Sequence, residues 1–197
     1  LDGDLLVPPF GDLRGHDRYL ISIGKCLATI ETDDGQIASG YVSDVSDGGC
    51  GLVVPVDQLR LSTARGVRLA LGEYRLAGRI VRARTFGGQI TLGIDHAAMP
   101  AEFLDSVRKM GGAIRFDHRT VTIIGKLNMP VAVKAMRLIG NPETVAIDLG
   151  ECSNMEMAGA GFLMLAIERG KQIVRVSSEV KELLDMAGIK VPPNPGR

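Results

Sequence analysis

Two short polar segments near the beginning of the chain carry side chains suited to binding a nucleotide. The first contains Arg14 and Arg18, and the second contains Asp44, Ser46 and Gly49 in the pattern Asp-x-Ser-x-x-Gly. A guanidinium is a planar, permanently charged fork that grips phosphate and the O6/N7 edge of guanine. A carboxylate accepts hydrogen bonds from the N–H donors on the other edge of guanine. Together the two segments predict a ligand that carries both guanine and phosphate.

A simpler interpretation of both segments stays open. Asp and Ser side chains commonly bond the backbone of their own turn, so Asp44 and Ser46 would then serve folding alone. Arg14 and Arg18 would be solvated charges of a linker, and Asp17 is close enough in sequence to pair with Arg18. The two interpretations differ in whether the arginines are free to close over a cavity beside the turn.

A further group of arginines lies between residues 60 and 84, where Glu73 is the only acidic residue. On alternating strands such residues usually form a solvated face. The alternative is a face that contacts phosphate or docks a partner. The sequence leaves both interpretations open.

The composition excludes several classes of protein. A chain of 197 residues with a formal net charge of +0 and few aromatic residues is a poor candidate for general nucleic-acid binding. No apolar run is long enough to span a membrane and no signal peptide is visible, so a cytoplasmic protein is expected. The three cysteines lack CxxC spacing and are expected to be reduced and buried, without a metal site or disulfide.

Catalytic motifs are absent from the sequence. His16, His96 and His118 are scattered, and no HExxH, GxSxG or P-loop pattern occurs. No nucleophile lies beside a recognisable base. The sequence therefore predicts a protein that is not an enzyme and that needs no cofactor.

Hydrophobic periodicity divides the chain near its middle. Short strand patterns separated by turns run from residue 22 to 95 and predict a small antiparallel β-barrel. A helical pattern follows and ends at Gly111-Gly112. Beyond it, strands and helices alternate, which predicts a mixed sheet covered by helices. We therefore expect two domains, at residues 12–110 and 113–190.

The individual elements follow from turn and cap signals. Strands are predicted at residues 23–31, 37–45, 49–54, 67–71, 74–84, 89–95, 113–116, 120–124, 144–149 and 172–176. Helices are predicted at residues 100–110, 129–139, 158–168 and 178–187. Ser178 is the expected N-cap of the last helix.

The first half of the chain resembles the PilZ domain. Arg-x-x-x-Arg, a strand pair and Asp-x-Ser-x-x-Gly leading into an apolar strand occur in the order typical of that family. The similarity continues through Gly51-Leu-Val-Val, Arg79-Ile-Val-Arg82 and Leu92-Gly-Ile-Asp95, and it covers roughly residues 12–108. Members of that family fold as a six-stranded barrel and act as bacterial receptors for the second messenger cyclic di-GMP.

The PilZ resemblance implies a role for each motif residue. Arg14 and Arg18 would wrap the ligand and contact phosphate or guanine, while Asp44 and Ser46 would bond the guanine edge. Gly49 would let a base lie close to the strand because it has no Cβ. One or two ligand molecules would bind, and the arginine segment would become ordered when they do.

In the second half, a buried strand ends in Asp148-Leu149 and is followed by a loop and a small-residue helix that begins at Ala158. In this order of elements, residues 113–190 resemble a STAS domain, the fold of anti-sigma factor antagonists and of sulfate-transporter tails. In sigma-regulating members a serine two residues after the motif's acid is phosphorylated; here the acid is Glu156 and that position is Ala158, so the switch is absent. A docking surface for a protein partner remains. Its expected residues are Met155, Met157 and Ala158.

The sequence thus predicts a cytoplasmic bacterial receptor that binds cyclic di-GMP in its barrel. Its STAS-like domain would relay binding to a protein partner in motility, chemotaxis, biofilm or transcription control. The alternative is a constitutive adaptor with a degenerate barrel that does not bind nucleotide. A regulatory piece of a longer chain is a third hypothesis, because both ends look truncated.

Overall fold

The computed structural model describes residues 17–22, 24–60, 66–117 and 119–191. Arg14 lies outside these residues. The described elements are β1 (Tyr19–Leu20), β2 (Leu27–Thr32), β3 (Ile37–Ser46), β4 (Gly49–Pro55), β5 (Gly66–Leu71), β6 (Tyr74–Phe86), β7 (Gln89–His96), α1 (Ala101–Met110), β8 (Gly112–Asp117), β9 (Thr120–Leu127), α2 (Met129–Ile139), β10 (Ala146–Met155), α3 (Met157–Glu168), β11 (Gln172–Val176) and α4 (Ser178–Met186).

Strands β2 to β7 form a closed antiparallel barrel, as the turn spacing predicts. They are ordered β3-β2-β5-β6-β7-β4, and pairing of β3 with β4 closes the ring. Inward residues alternate with outward ones, so the interior is filled by side chains such as Ile30, Val42, Leu52 and Leu92, each at most 1% exposed. Helix α1 adds Phe103 and its apolar neighbours to the same core.

The second half is a mixed sheet with three helices, also as predicted. Strands β8 and β9 pair antiparallel, whereas β9, β10 and β11 run parallel. Helices α2, α3 and α4 pack with this sheet in a second core, separate from that of the barrel. The limits of the two proposed domains stay a prediction.

The caps of the helices follow local side-chain chemistry. Asn128 is the N-cap of α2, and its side-chain oxygen accepts a hydrogen bond from the Val131 N–H at 3.1 Å. Ser177 caps α4 in the same way, so the prediction of Ser178 was wrong by one residue. Both serines are chemically able to cap, but only Ser177 has the extended backbone of a cap residue, with φ −66° and ψ 159°.

Strand β1 joins the two halves and was not predicted. Leu20 pairs with Asp44 of β3 on one side and with Gly112 of β8 on the other. The side-chain amide of Asn128 donates to the Leu20 carbonyl at 3.1 Å. Through β1 the barrel and the mixed sheet share one continuous hydrogen-bonded network of strands.

Two other strands differ from prediction for local reasons. The strand predicted at 23–31 begins at Leu27, because Gly24 has a positive φ of +86° in the preceding turn; Ile23 lies outside the described residues. Strand β10 runs on to Met155 through two register shifts against β9. Within the described residues no helix is long and apolar enough to cross a membrane.

Candidate functional site

Arg18 and Asp44 lie in direct contact beside strand β1. The Arg18 Nε atom contacts the Asp44 Oδ1 atom, and both side chains are about four-fifths buried, with exposures of 20% and 18%. The Ser43 hydroxyl donates to the other Asp44 oxygen at 2.7 Å. Asp17 does not pair with Arg18, since its carboxylate is bonded by Arg115. The charge on Arg18 is therefore balanced by the acid of the turn.

A glycine makes room for this pair. Gly51 lies directly across from Asp44 in the β3–β4 ladder, and a Cβ at Gly51 would collide with the Asp44 carboxylate and the Ser43 hydroxyl. The sequence analysis missed this role. The available signal was a glycine inside an apolar strand, which often marks a close approach.

Ser46 and Gly49 close the turn between β3 and β4. The Ser46 hydroxyl donates to the Gly49 carbonyl at 3.2 Å, so its proton is used within the turn and its lone pairs remain acceptors. A Cβ at Gly49 would lie 2.8 Å from the carbonyl oxygen of Ile94 in β7. Packing between β4 and β7 is thus sufficient reason for glycine here, and its contact with a base stays a prediction.

A cavity of about 350 Å³ opens beside these residues. This volume is at the small end of the range for ligand sites. It is lined by Arg18, Ser46, Gly48, Gly49, Val81, Arg82, Gly93, Ile94 and Asp95. Three of the predicted site residues therefore converge on one cavity, and Asp44 reaches it through its contact with Arg18.

The cavity floor follows from the strand register. Residues directly opposite in adjacent antiparallel strands present their side chains to the same face. One such row runs Asp44, Gly51, Gly93 and Arg82 across β3, β4, β7 and β6. Two glycines thus separate an acidic side chain from a basic one. The Asp44 carboxylate lies over Gly51, whereas Gly93 lines the cavity.

A second row lies next to the first. It runs Ser46, Gly49, Asp95 and Arg79 across the same four strands. The Arg79 Nη2 atom is 4.0 Å from the Asp95 Oδ2 atom, and both side chains are exposed. An exposed pair at this distance adds little to stability, so both groups are available to a ligand.

The barrel half of the chain matches a known family. Residues 13–103 match the family model described as the PilZ domain. These residues form a PilZ domain. The match includes both polar segments, the six barrel strands and the start of α1. It ends at residue 103, so the STAS resemblance of residues 113–190 stays a prediction.

One solved structure is similar to part of this chain. It is described as "PilZ domain with c-di-GMP of YcgR from Escherichia coli" and is 11% identical, covering 49% of this chain and 86% of that chain with a TM-score of 0.36. A likeness this distant carries no argument about the site. No curated protein matches the chain.

Two titratable side chains inside the PilZ domain belong to its core. Burial raises the pKa of the Cys50 thiol to about 12, and the nearby Asp44 carboxylate adds to this effect. Desolvation lowers the pKa of His96, against a smaller opposite effect of Asp95. Cys50 is therefore protonated and His96 neutral at pH 7. His16 and His118 lie outside the described residues.

The expected docking residues of the second half differ in exposure. Met157, the first residue of α3, is 91% exposed. Met155 and Ala158 are half-buried and pack against the core of the mixed sheet. The Glu156 carboxylate is 2.8 Å from the Lys126 amine. The surface available to a partner therefore centres on Met157, and its docking role stays a prediction.

Proposed function

We propose that this protein is a non-enzymatic receptor for cyclic di-GMP, which binds in the cavity of its PilZ domain. One observation carries the proposal most strongly. Arg18, Ser46 and Gly49 come from two separate segments and line the same cavity, with Asp44 in contact with Arg18. A guanidinium, a hydroxyl and a carboxylate match the phosphate and guanine edges of such a ligand.

Binding would exchange one ion pair for several contacts. A ligand phosphate competes with the Asp44 carboxylate for Arg18, because both are bidentate acceptors for a guanidinium. The released carboxylate then accepts from the N1 and N2 donors of guanine, while Ser46 offers its lone pairs. Arg14 would close over the ligand from the segment that precedes Arg18.

The contact between Arg18 and Asp44 also favours a second candidate function. In an adaptor with a degenerate barrel, the pair would simply be structural, and the charges would cancel. The cavity beside the pair distinguishes the two, since a purely structural pair needs no open space lined by Ser46 and Arg82. The receptor is therefore the function that the geometry supports better.

A path for relay to the second half begins next to Arg18. The Asp17 carboxylate accepts two hydrogen bonds from the Arg115 Nη2 atom, at 3.1 and 2.9 Å. The Arg115 Nη1 atom is 3.7 Å from the Glu151 Oε1 atom of β10. Any movement of Arg18 on ligand binding thus acts on a neighbour that is tied to β8 and β10.

The backbone provides a second connection along the same path. Strand β1 pairs Leu20 with both Asp44 and Gly112, and the Leu20 carbonyl is held by the N-cap residue of α2, Asn128. Strand β10 leads directly into α3, which begins with the exposed Met157. A STAS-like docking surface at the start of α3 would change its structure when ligand binds, and a protein partner would bind that surface with a different affinity.

Calorimetry tests ligand binding. We expect titration of the whole chain with cyclic di-GMP to give saturable heat with a Kd below about 10 μM. Cyclic di-AMP is the matched control, because adenine presents an acceptor where guanine presents its N1 donor to Asp44. Folded protein that gives no heat at tens of micromolar ligand (roughly the range where a weak site still registers) would favour the adaptor.

Replacing Arg115 tests the relay. We expect cyclic di-GMP to change amide hydrogen exchange in β8 and β10 of the wild type, and Arg115→Ala to lose most of that response. Because Arg115 is half-exposed and outside the cavity, the Kd should change by less than about threefold. Arg137→Ala, on exposed α2 surface, is the control. An unchanged exchange response in Arg115→Ala would contradict the relay.

A further inference from the structure

Arg82 reaches the cavity because of a bulge in β6. The register of β6 against β7 shifts between Ile80 and Arg82, so Val81 is an extra residue in the ladder. Residues 81 and 82 are both exposed, where a regular strand would bury one of them. Both line the cavity. The bulge thus turns an arginine toward the space beside Arg18.

No described residue offsets the charge of Arg82. Within the described part of the chain its guanidinium makes no ion pair or hydrogen bond, in contrast to Arg18 with Asp44, Arg68 with Glu31 and Arg79 with Asp95. An exposed, uncompensated guanidinium at a cavity rim is a ready partner for phosphate. Of the two described arginines that line this cavity, Arg82 is therefore the one whose charge is available.

The row from Asp44 to Arg82 meets the cavity at Gly93 and Arg82. The two residues stand three strands apart, with Gly51 and Gly93 between them. At about 4.8 Å per strand, the row spans roughly 14 Å. A Cβ at Gly93 would lie 3.5 Å from the Arg82 Cβ, so alanine would fit there, but its methyl group would take up space in the cavity.

We propose that Arg82 is a further ligand-binding residue of this PilZ domain and holds a phosphate of the cyclic dinucleotide opposite Asp44. This inference rests on the proposed function. The guanine edge lies at the acidic end of the row and a phosphate at the basic end, in the cavity that Arg82 lines together with Arg18 and Gly93. Two phosphates carry more negative charge than Arg18 neutralises by itself, and Arg82 adds a second cation at the same cavity.

The test compares two arginines of the same strand. We expect Arg82→Ala to raise the Kd for cyclic di-GMP at least about tenfold, as loss of one charge-assisted contact predicts. Arg84→Ala removes an equal charge two positions along β6, where the side chain does not line the cavity, and should change the Kd by less than about twofold. Gly93→Ala should also raise the Kd, because its methyl group takes up space in the cavity while both charges remain.

The outcomes separate the two proposals. If the wild type binds and Arg82→Ala binds equally well, or Arg84→Ala loses as much affinity, the role of Arg82 is overturned and the receptor stands. If the wild type does not bind cyclic di-GMP, both the receptor function and the role of Arg82 are contradicted. Since Arg82 is exposed and pairs with no described residue, its replacement should leave the melting temperature within about 2 °C of the wild type, so a loss of affinity would not reflect unfolding.

Discussion

Replacement of Arg18 by alanine is expected to raise the Kd for cyclic di-GMP at least about 100-fold, or roughly 2.8 kcal/mol. Arg18 lines the cavity and supplies charge-assisted hydrogen bonds to the ligand. Its loss also leaves the Asp44 carboxylate uncompensated beside an anionic ligand. Both effects act in the same direction, so this is the largest change in affinity that we expect from one substitution.

Calorimetry on Arg18→Ala needs a fold control, because Arg18 and Asp44 are mostly buried. Loss of one partner leaves a mostly buried charge without its counter-charge and lowers stability. The double variant Arg18→Ala/Asp44→Ala removes both charges and should recover stability without recovering binding. Retention of wild-type affinity by a folded Arg18→Ala protein would contradict the assignment of Arg18.

Replacement of Gly112 by alanine is expected to lower the free energy of unfolding by about 2–3 kcal/mol. A Cβ there would collide with the backbone carbonyl of Lys126 and lie 3.0 Å from the Val131 Cγ2 atom. Backbone cannot move aside as a flexible side chain can, so β8 must separate from β9. Gly112 also pairs with Leu20, and the junction between the barrel and the mixed sheet would weaken with it. Urea unfolding measures the loss.

Gly161→Ala is a control substitution that is expected to raise the free energy of unfolding rather than lower it. Gly161 lies on the exposed face of α3, and a Cβ there meets nothing within 4 Å. Gly161→Ala should therefore stabilise the protein by about 0.5–1 kcal/mol through the higher helix propensity of alanine. Equal urea midpoints for Gly112→Ala and the wild type would contradict the tight junction.

Elements specified by local signals were predicted best. The limits of α2 and β11 were predicted correctly, and in the structure Asn128 caps the helix. Strand β1 was missed because two residues carry no periodic pattern, and its stability comes from pairing with β3 and β8, which are distant in sequence. The end of β10 was missed for a similar reason, since polar residues continue the strand only because β9 pairs with them.

The residues of the site also divide into those that the sequence predicts and those that depend on pairing between distant strands. The residue types and the PilZ resemblance predicted that Arg18, Ser46 and Gly49 belong to one site, and all three line one cavity. The contributions of Gly93 and Arg82 depend on a register across several strands and on a bulge, neither of which is visible in one sequence. The sequence analysis offered a phosphate-binding face as one interpretation of the arginines between residues 60 and 84. Only the pairing of β6 with β7 shows that Arg82 is the one that reaches the cavity.

The most direct test of the receptor is nuclear magnetic resonance of the arginine side chains during titration with cyclic di-GMP. We predict that the Nε–Hε signal of Arg18 shifts saturably as its contact with Asp44 is replaced, together with the backbone amides of Asp44 and Ser46. The signal of Arg84 should stay in place. Unchanged signals for Arg18, Asp44 and Ser46 in folded protein at saturating ligand would contradict the account.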